Sequence, residues 1–369
     1  MNIKSIGLLL LIITPIAVLY SCHKNNDSTL PPGTDTTSTG ASYKWRYVQK
    51  DINVVNSYSP AHLHFYNDRE AVITGSRLFE ISPDSGKSWG GATLTNLLGY
   101  GFSVYDNNIT WSEANFSDIF YLDYNNQYNN HYASLDTITS IPYLKNKIIS
   151  GLYNSGPNSG YMLTQEGSIF KISGGFNPSN IKLEYQTSYF KDLGSNNTNG
   201  VYFRYIEALD SQNMMVMGNP QGTTVQQPVI IHKKNGTYKE YNFSTEIPNE
   251  FFDQIQYVDS NTAYFHTTGN VLYRFSNSQT LTKLSGTSKG IGAFKFIDSK
   301  TGYAGSALTL NAAEEYIYKT TDGGKTWTTD FVMDPDHIIT AFFARGNEIW
   351  AVGNCICTIK KRFLVKYGR

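Results

Sequence analysis

Two aspartates stand in matching octapeptides, Ser82-Pro83-Asp84-Ser85-Gly86-Lys87-Ser88-Trp89 and Thr320-Thr321-Asp322-Gly323-Gly324-Lys325-Thr326-Trp327. A repeated carboxylate could serve as a general acid or base. Its neighbours point to a different job. An Asp and a Gly in a turn, flanked by hydroxyl residues, suit a β-hairpin. The carboxylate and hydroxyl oxygens accept backbone N–H groups that the turn leaves free, and Gly tolerates φ > 0. The closing Trp supplies an apolar plate for packing on a neighbouring sheet. Ser82, Asp84, Gly86, Trp89, Thr320, Asp322, Gly324 and Trp327 are therefore read as structural.

Other residues with chemical potential are scattered. His62 and His64 form His-x-His, which on a strand puts both rings on one face. With a third ligand they could hold a metal. None is visible nearby in sequence, so hydrogen-bonded edge or channel histidines are expected. His131, His232, His266 and His337 lie far apart. Cys355 and Cys357 also share a strand face, where a bridge between i and i+2 would be strained. They read as buried small apolar residues. There is no His-Glu-x-x-His, no Gly-x-Ser-x-Gly and no phosphate-cradling glycine loop. No metal or cofactor is expected.

The two octapeptides resemble the Asp-box, or BNR repeat, of sialidase-like, sortilin-like and Ycf48-like β-propellers. The resemblance implies an all-β propeller with the box on the C–D hairpin of a blade, away from the usual binding face. Met217-Gly218-Asn219-Pro220-Gln221-Gly222 is also similar to a segment of Ycf48-like propellers. Membership among the sialidases would require three arginines gripping a carboxylate, a Tyr–Glu pair and an Asp acid. The early Arg-Ile-Pro motif of that family is absent. Arg46, Arg69, Arg77, Arg204, Arg274, Arg345 and Arg362 are spread along the chain, and Arg204 falls between Phe203 and Tyr205 in a strand. No catalytic residue is assigned. Two-propeller xyloglucanases also use the box, but two such domains would need about twice this length.

Beneath the box lies a fainter repeat: an apolar strand, Asp or Asn, a short turn and a second apolar strand. Strong copies begin at residues 63, 102, 206, 255, 294 and 342, and a weaker one at 151. Most intervals are roughly 40–50 residues, the length of a four-stranded blade. The expected fold is a single propeller over residues 43–369, with seven four-stranded blades and boxes in the first and sixth. Six and eight blades are left open by the ends, because either 43–49 or 364–367 could supply the closing strand.

Lys4 followed by the apolar run Ile6–Tyr20 reads as a signal peptide, too short to span a membrane. Its end, Leu19-Tyr20-Ser21-Cys22, resembles a bacterial lipobox. This divides the chain into a lipoprotein signal peptide (1–21), a lipid-anchored flexible tether (22–42) and the propeller domain (43–369). An ordinary signal peptide with a chance Cys is the alternative. The resulting location is the bacterial envelope, at the outer membrane, on either its periplasmic or its surface-exposed side.

Lys plus Arg and Asp plus Glu both number 30, so the formal charge is zero, which argues against nucleic acid as a partner. The 27 tyrosines suit strands first, and sugar or protein contacts second. Propellers usually bind on the face of the B–C loops and D–A connections. Two long B–C segments carry the candidate ligand-binding residues: Asn219, Gln221, Gln226 and Gln227 in one, Asn311, Glu314 and Glu315 in the other. The favoured function is non-enzymatic docking of a protein or assembly by a monomeric domain. Surface glycan binding is the alternative, and a diverged glycosidase stands behind both.

Overall fold

The computed structural model describes residues 43–53, 60–75, 78–93, 102–105, 108–112, 119–123, 130–133, 144, 147–156, 159–174, 178–189, 200–221, 228–243, 246–247, 250–276, 280–307, 314–355 and 361–368. The signal peptide, Cys22, the tether, Arg77, Gln226, Gln227, Asn311 and Cys357 lie outside the described residues. Residues 41–369 form one compact unit.

Among the described residues the strands form seven four-stranded sheets, each antiparallel and each built from consecutive strands but one. Strand β1 (Lys44–Asn53) is set aside for the last of them. Blade 1 is β2–β5 (Pro60–Phe65, Ala71–Gly75, Leu78–Ser82, Gly90–Thr93), and blade 2 is β6–β9 (Phe102–Tyr105, Asn108–Ser112, Ile119–Asp123, Asn130–Ala133). Blade 3 is β10–β13 (Ile149–Gly156, Ser159–Thr164, Ser168–Ser173, Ile181–Gln186), and blade 4 is β14–β17 (Gly200–Ala208, Met214–Gln221, Val229–Lys234, Thr237–Asn242). Blade 5 is β18–β21 (Phe252–Asp259, Thr262–Thr267, Leu272–Ser276, Leu281–Lys283), and blade 6 is β22–β25 (Ile291–Phe296, Gly302–Ser306, Glu315–Thr320, Thr328–Met333). Blade 7 joins β26–β28 (His337–Arg345, Glu348–Cys355, Lys361–Gly368) to β1.

Seven four-stranded blades were expected, and this needs correcting in one respect. Six four-stranded blades carry described, packed side chains. The β6–β9 sheet is described by its strand pairing, and of its side chains by Ser103 alone. The ends also differ from the either-or expectation. Both termini close the ring, because β1 pairs with β28 from Lys44↔Gly368 to Asn53↔Lys361.

Neighbouring blades meet through their first strands: β6 with β10, β10 with β14, β14 with β18, β18 with β22, β22 with β26 and β26 with β2. These strands are the inner ring of a β-propeller. Second strands are covered on both faces, which is why they read as continuous apolar runs. Ala71, Val72 and Ile73 are fully buried, as are Ala263, Tyr264 and Phe265. The cores lie between sheets. Tyr303, Ile317 and Met333 of blade 6 pack with Trp45, Phe342 and Phe363 of blade 7.

The Asp or Asn of the faint repeat closes the A–B turns of blades 1, 4, 5 and 6. Asn67 Oδ1 accepts the N–H groups of Arg69 and Glu70, both at 2.8 Å. Asp210 Oδ1 does the same for Gln212 and Asn213 at 2.6 and 2.9 Å, and Asp298 Oδ1 for Lys300 and Thr301 at 2.6 and 2.7 Å. A short side chain thus replaces the backbone acceptor that a tight turn lacks.

Candidate functional site

Strand alternation sorts the loops onto two faces. The A–B and C–D turns share one face, and the B–C loops and D–A connections share the other. Both octapeptides are C–D turns, between β4 and β5 and between β24 and β25. Their hydrogen bonds match atom for atom. The Ser82 hydroxyl donates to Asp84 Oδ1 (3.0 Å) and accepts the Gly86 N–H (2.7 Å), and the Thr320 hydroxyl does the same with Asp322 and Gly324 (both 2.9 Å). Asp84 takes the Ser88 N–H and hydroxyl at 2.8 and 2.6 Å, and Asp322 takes those of Thr326 at 2.9 and 2.7 Å. The Thr326 hydroxyl and N–H hold the Asp322 carboxyl down at about 2. Gly86 (φ 86°) and Gly324 (φ 85°) sit in the left-handed region. The turns dock on their own blade's A–B turn: Ser85 hydroxyl on Asp68 O at 2.7 Å, Gly323 N–H on Lys300 O at 2.7 Å. Every carboxylate oxygen of both aspartates is engaged within its own turn. In blade 4 an Asn235-Gly236 turn, with both residues at positive φ, occupies the same place.

The candidate ligand residues of the B–C face whose side chains are described, Asn219, Glu314 and Glu315, do not converge. Asn219 is a clamp between blades 4 and 5: its Nδ2 donates to Phe252 O (2.5 Å) and its Oδ1 accepts the Phe252 N–H (2.8 Å). Gln221 ends β15, with its backbone alone described. Glu314 and Glu315 adjoin in blade 6 but diverge. Glu315 is fully buried, with Oε2 accepting the Ser306 hydroxyl. Glu314 is exposed and accepts the Tyr316 hydroxyl at 2.7 Å.

Around Glu314 the structure assembles a patch that sequence reasoning missed. The Lys289 ammonium bonds to Glu314 O and lies 4.7 Å above the Tyr316 ring. The Ile291 N–H donates to Asn270 O (3.4 Å), joining this corner to the B–C turn of blade 5. There the Thr268 N–H donates to Phe251 O (2.9 Å), and Glu250 accepts the Thr267 hydroxyl. Asp253 Oδ1 faces His266 Nδ1 at 2.5 Å. Phe251 keeps 37% of its surface exposed. The patch therefore presents Phe251, Glu250, Asp253 and Glu314 beside one lysine. Its residues come from D–A connections and strand ends of two blades, so no linear motif announces them.

On the inner strands, His62 is exposed and His64 half-buried, and both lie on β2. Burial, with Arg345 and Lys295 nearby, pushes His64 down to about 4. Its ring meets Tyr66 and Phe343 edge-on at 5.1 and 5.0 Å. No three His, Cys, Asp or Glu residues come together as a metal site among the described residues. Cys355 is buried. The described arginines are dispersed: Arg345 pairs with Asp68, and Arg362 with Glu80 at 2.6 Å, both between blades 7 and 1.

No protein-family model and no curated protein matches the sequence. Solved structures do. YCF48 bound to a D1 peptide is 14% identical with a TM-score of 0.57, covering 89% of this chain and 98% of that one. YCF48 from Cyanidioschyzon merolae is 16% identical with a TM-score of 0.59, covering 88% and 98%. The GH74 xyloglucanase from Xanthomonas campestris is 12% identical with a TM-score of 0.55, covering 87% of this chain but 55% of that one. What they share is the β-propeller fold. The match to both YCF48 structures spans nearly their whole length, whereas the xyloglucanase is much longer.

Proposed function

We propose that this chain is a non-enzymatic, envelope-anchored propeller that docks a protein, with Asp-box turns as structural fasteners and Cys22 as the lipidated residue. The observation that carries the docking reading is the likeness to YCF48 bound to a D1 peptide, across 98% of that chain. The B–C face of blades 5 and 6 supplies a surface for it. An exposed Phe251 beside Glu250, Asp253 and Glu314 suits a segment with an apolar anchor and basic flanks. The inter-blade clamps hold that face rigid, which lowers the entropy lost on docking.

Replacing Phe251 with a photo-crosslinking residue in the full-length protein tests the reading in intact cells. One reproducible crosslinked protein is expected, absent when the same residue is placed at Ser85 on the opposite face. Equal yields from both positions, or no reproducible product, would remove the proposal. The anchor has its own test. Cys22→Ser should abolish incorporation of labelled palmitate and release the protein from membranes, and unchanged labelling would rule Cys22 out.

A further inference from the structure

We infer that the cleft between blades 3 and 4, on the face of the A–B turns, is a binding site for a neutral saccharide. This site is separate from the docking face and does not depend on it. The cleft encloses about 520 Å³, the scale of a small-ligand pocket. One wall is a cross-strand row. Tyr153 pairs with Tyr161 and Tyr161 with Lys171, so the three side chains stand side by side on one face of the sheet. The other wall is the A–B turn of blade 4, with Leu209 and Asp210.

An internal comparison shows why the cleft exists. Blade 5 carries the same row as Gln256, Tyr264 and Arg274, in the same register. Facing it, blade 6 has Phe296-Ile297-Asp298-Ser299 where blade 4 has Ala208-Leu209-Asp210-Ser211. The tie at the base is the same: the Tyr264 hydroxyl donates to Ser299 O at 3.0 Å, and the Tyr161 hydroxyl to Ser211 O at 2.9 Å. Between blades 5 and 6 the space is filled. Phe296 stacks on Tyr264 with centroids 3.5 Å apart, and Gln256 bonds the Phe296 N–H and C=O, both at 2.7 Å. Between blades 3 and 4, Ala208 replaces the phenyl ring and Tyr153 replaces the clamping amide. Relative to the blade 5–6 junction, these two substitutions leave the space open.

The lining fits a sugar. Tyr153 and the 38%-exposed Leu209 offer apolar surface to pyranose C–H groups. Asp210 spends Oδ1 on two turn N–H groups, while Oδ2 receives the Asn213 amide alone, at 2.9 Å, and keeps capacity for a ligand hydroxyl. Lys171, exposed in the lining, supplies donors, and the nearby Lys233 charge offsets that of Asp210, which favours a neutral ligand over an ionic one. The walls are set before binding, because Lys233 also donates to Ser211 O at 2.8 Å.

Saturation-transfer NMR on the full chain tests this, with glucose, galactose, N-acetylglucosamine, maltose and cellobiose each at about 10 mM, above the millimolar Kd expected for so small a ligand. At least one probe should show transfer, and Ala208→Phe, which copies blade 6, should abolish it. Tyr153→Leu keeps an apolar side chain but removes the ring face, and it should weaken binding at least ~10-fold, as loss of a 1.4 kcal/mol contact would. It decides the matter if the phenylalanine variant does not fold. Silence from all five sugars, or transfer undiminished in a folded variant, would overturn the site.

Discussion

Asp322 shows how a single carboxylate serves the fold. It is the acceptor for two N–H or O–H groups of Thr326 and for the Thr320 hydroxyl, and these bonds hold its carboxyl down at about 2. A carboxyl depressed in the folded state adds stability that is present above its unfolded value of 3.8 and is lost as pH falls toward about 2. Asp322→Asn keeps an oxygen acceptor but does not titrate. Its melting temperature should lie below that of the wild type at pH 5, and the gap should close as pH drops from about 4 to about 2. A gap constant with pH would contradict the hydrogen-bond account. His232 works in a second window with the same sign. It is 7% exposed, its Nε2 lies 3.1 Å from the Tyr257 hydroxyl, and burial pushes it down to about 4 from 6.5. The unfolded chain takes up the proton first, so stability falls as pH drops from 6.5 to about 4, by at most about 3 kcal/mol. His232→Gln should make the melting temperature depend less steeply on pH across that interval, leaving the share of His64, which burial also pushes down to about 4, and an unchanged slope would place the titration elsewhere.

Blades adhere through elements that imitate a missing strand. Asn219 and Gln256 each present an amide that pairs with both backbone groups of the next blade's first strand, at Phe252 and Phe296. Replacing either with leucine strands a buried N–H and C=O, at about 1–3 kcal/mol for each unpaired group. Urea midpoints should fall accordingly, and in Asn219→Leu the Phe252 amide should exchange faster than the global rate predicts. The second adhesive is the Arg362–Glu80 ion pair between blades 7 and 1, with Arg362 1% exposed. Glu80→Gln or Arg362→Met alone should cost about 3–5 kcal/mol, and the double variant less than the sum. An additive cycle would show that the pair is not coupled. These ties mark the boundary of what a linear reading recovers. Strand alternation, the turn aspartates and the two octapeptides are local patterns, and they place blades and faces directly. Asn219 is legible as a polar residue near a loop, but its partner lies 33 residues away, so it reads as a ligand-binding amide. The blade 5–6 patch and the blade 3–4 cleft are likewise invisible until separate repeats are brought side by side. The cleft still leaves a trace in the sequence, as an alanine where the equivalent unit has phenylalanine.

At the scale of the whole molecule, the chain is a ring whose last sheet is built from both of its ends. β1 is the outermost strand of blade 7, yet its side chains reach back to blade 6. Trp45 Nε1 donates to Asp330 Oδ2 at 2.7 Å, Lys50 pairs with Asp334 at 2.7 Å, and the Tyr47 hydroxyl accepts the Asp334 N–H at 3.1 Å. Trp45 is 7% exposed and packs among Tyr303, Phe331 and Tyr367. Removing the strand would uncover those rings and leave the full length of β28 as an unpaired edge, which templates association. A chain starting at residue 54 is therefore expected to be less stable by several kcal/mol, as loss of a large buried aromatic implies, and to form oligomers on size-exclusion chromatography. Adding a synthetic peptide of residues 43–53 should restore the monomer and raise the melting temperature in proportion to its concentration, because binding to the folded state alone stabilises by mass action. A Trp45→Ala peptide should do so far less well, since it lacks the anchor and the bond to Asp330. A truncated chain that stays monomeric and melts with the intact protein would show that β1 is an ornament on a ring already closed by β26–β28.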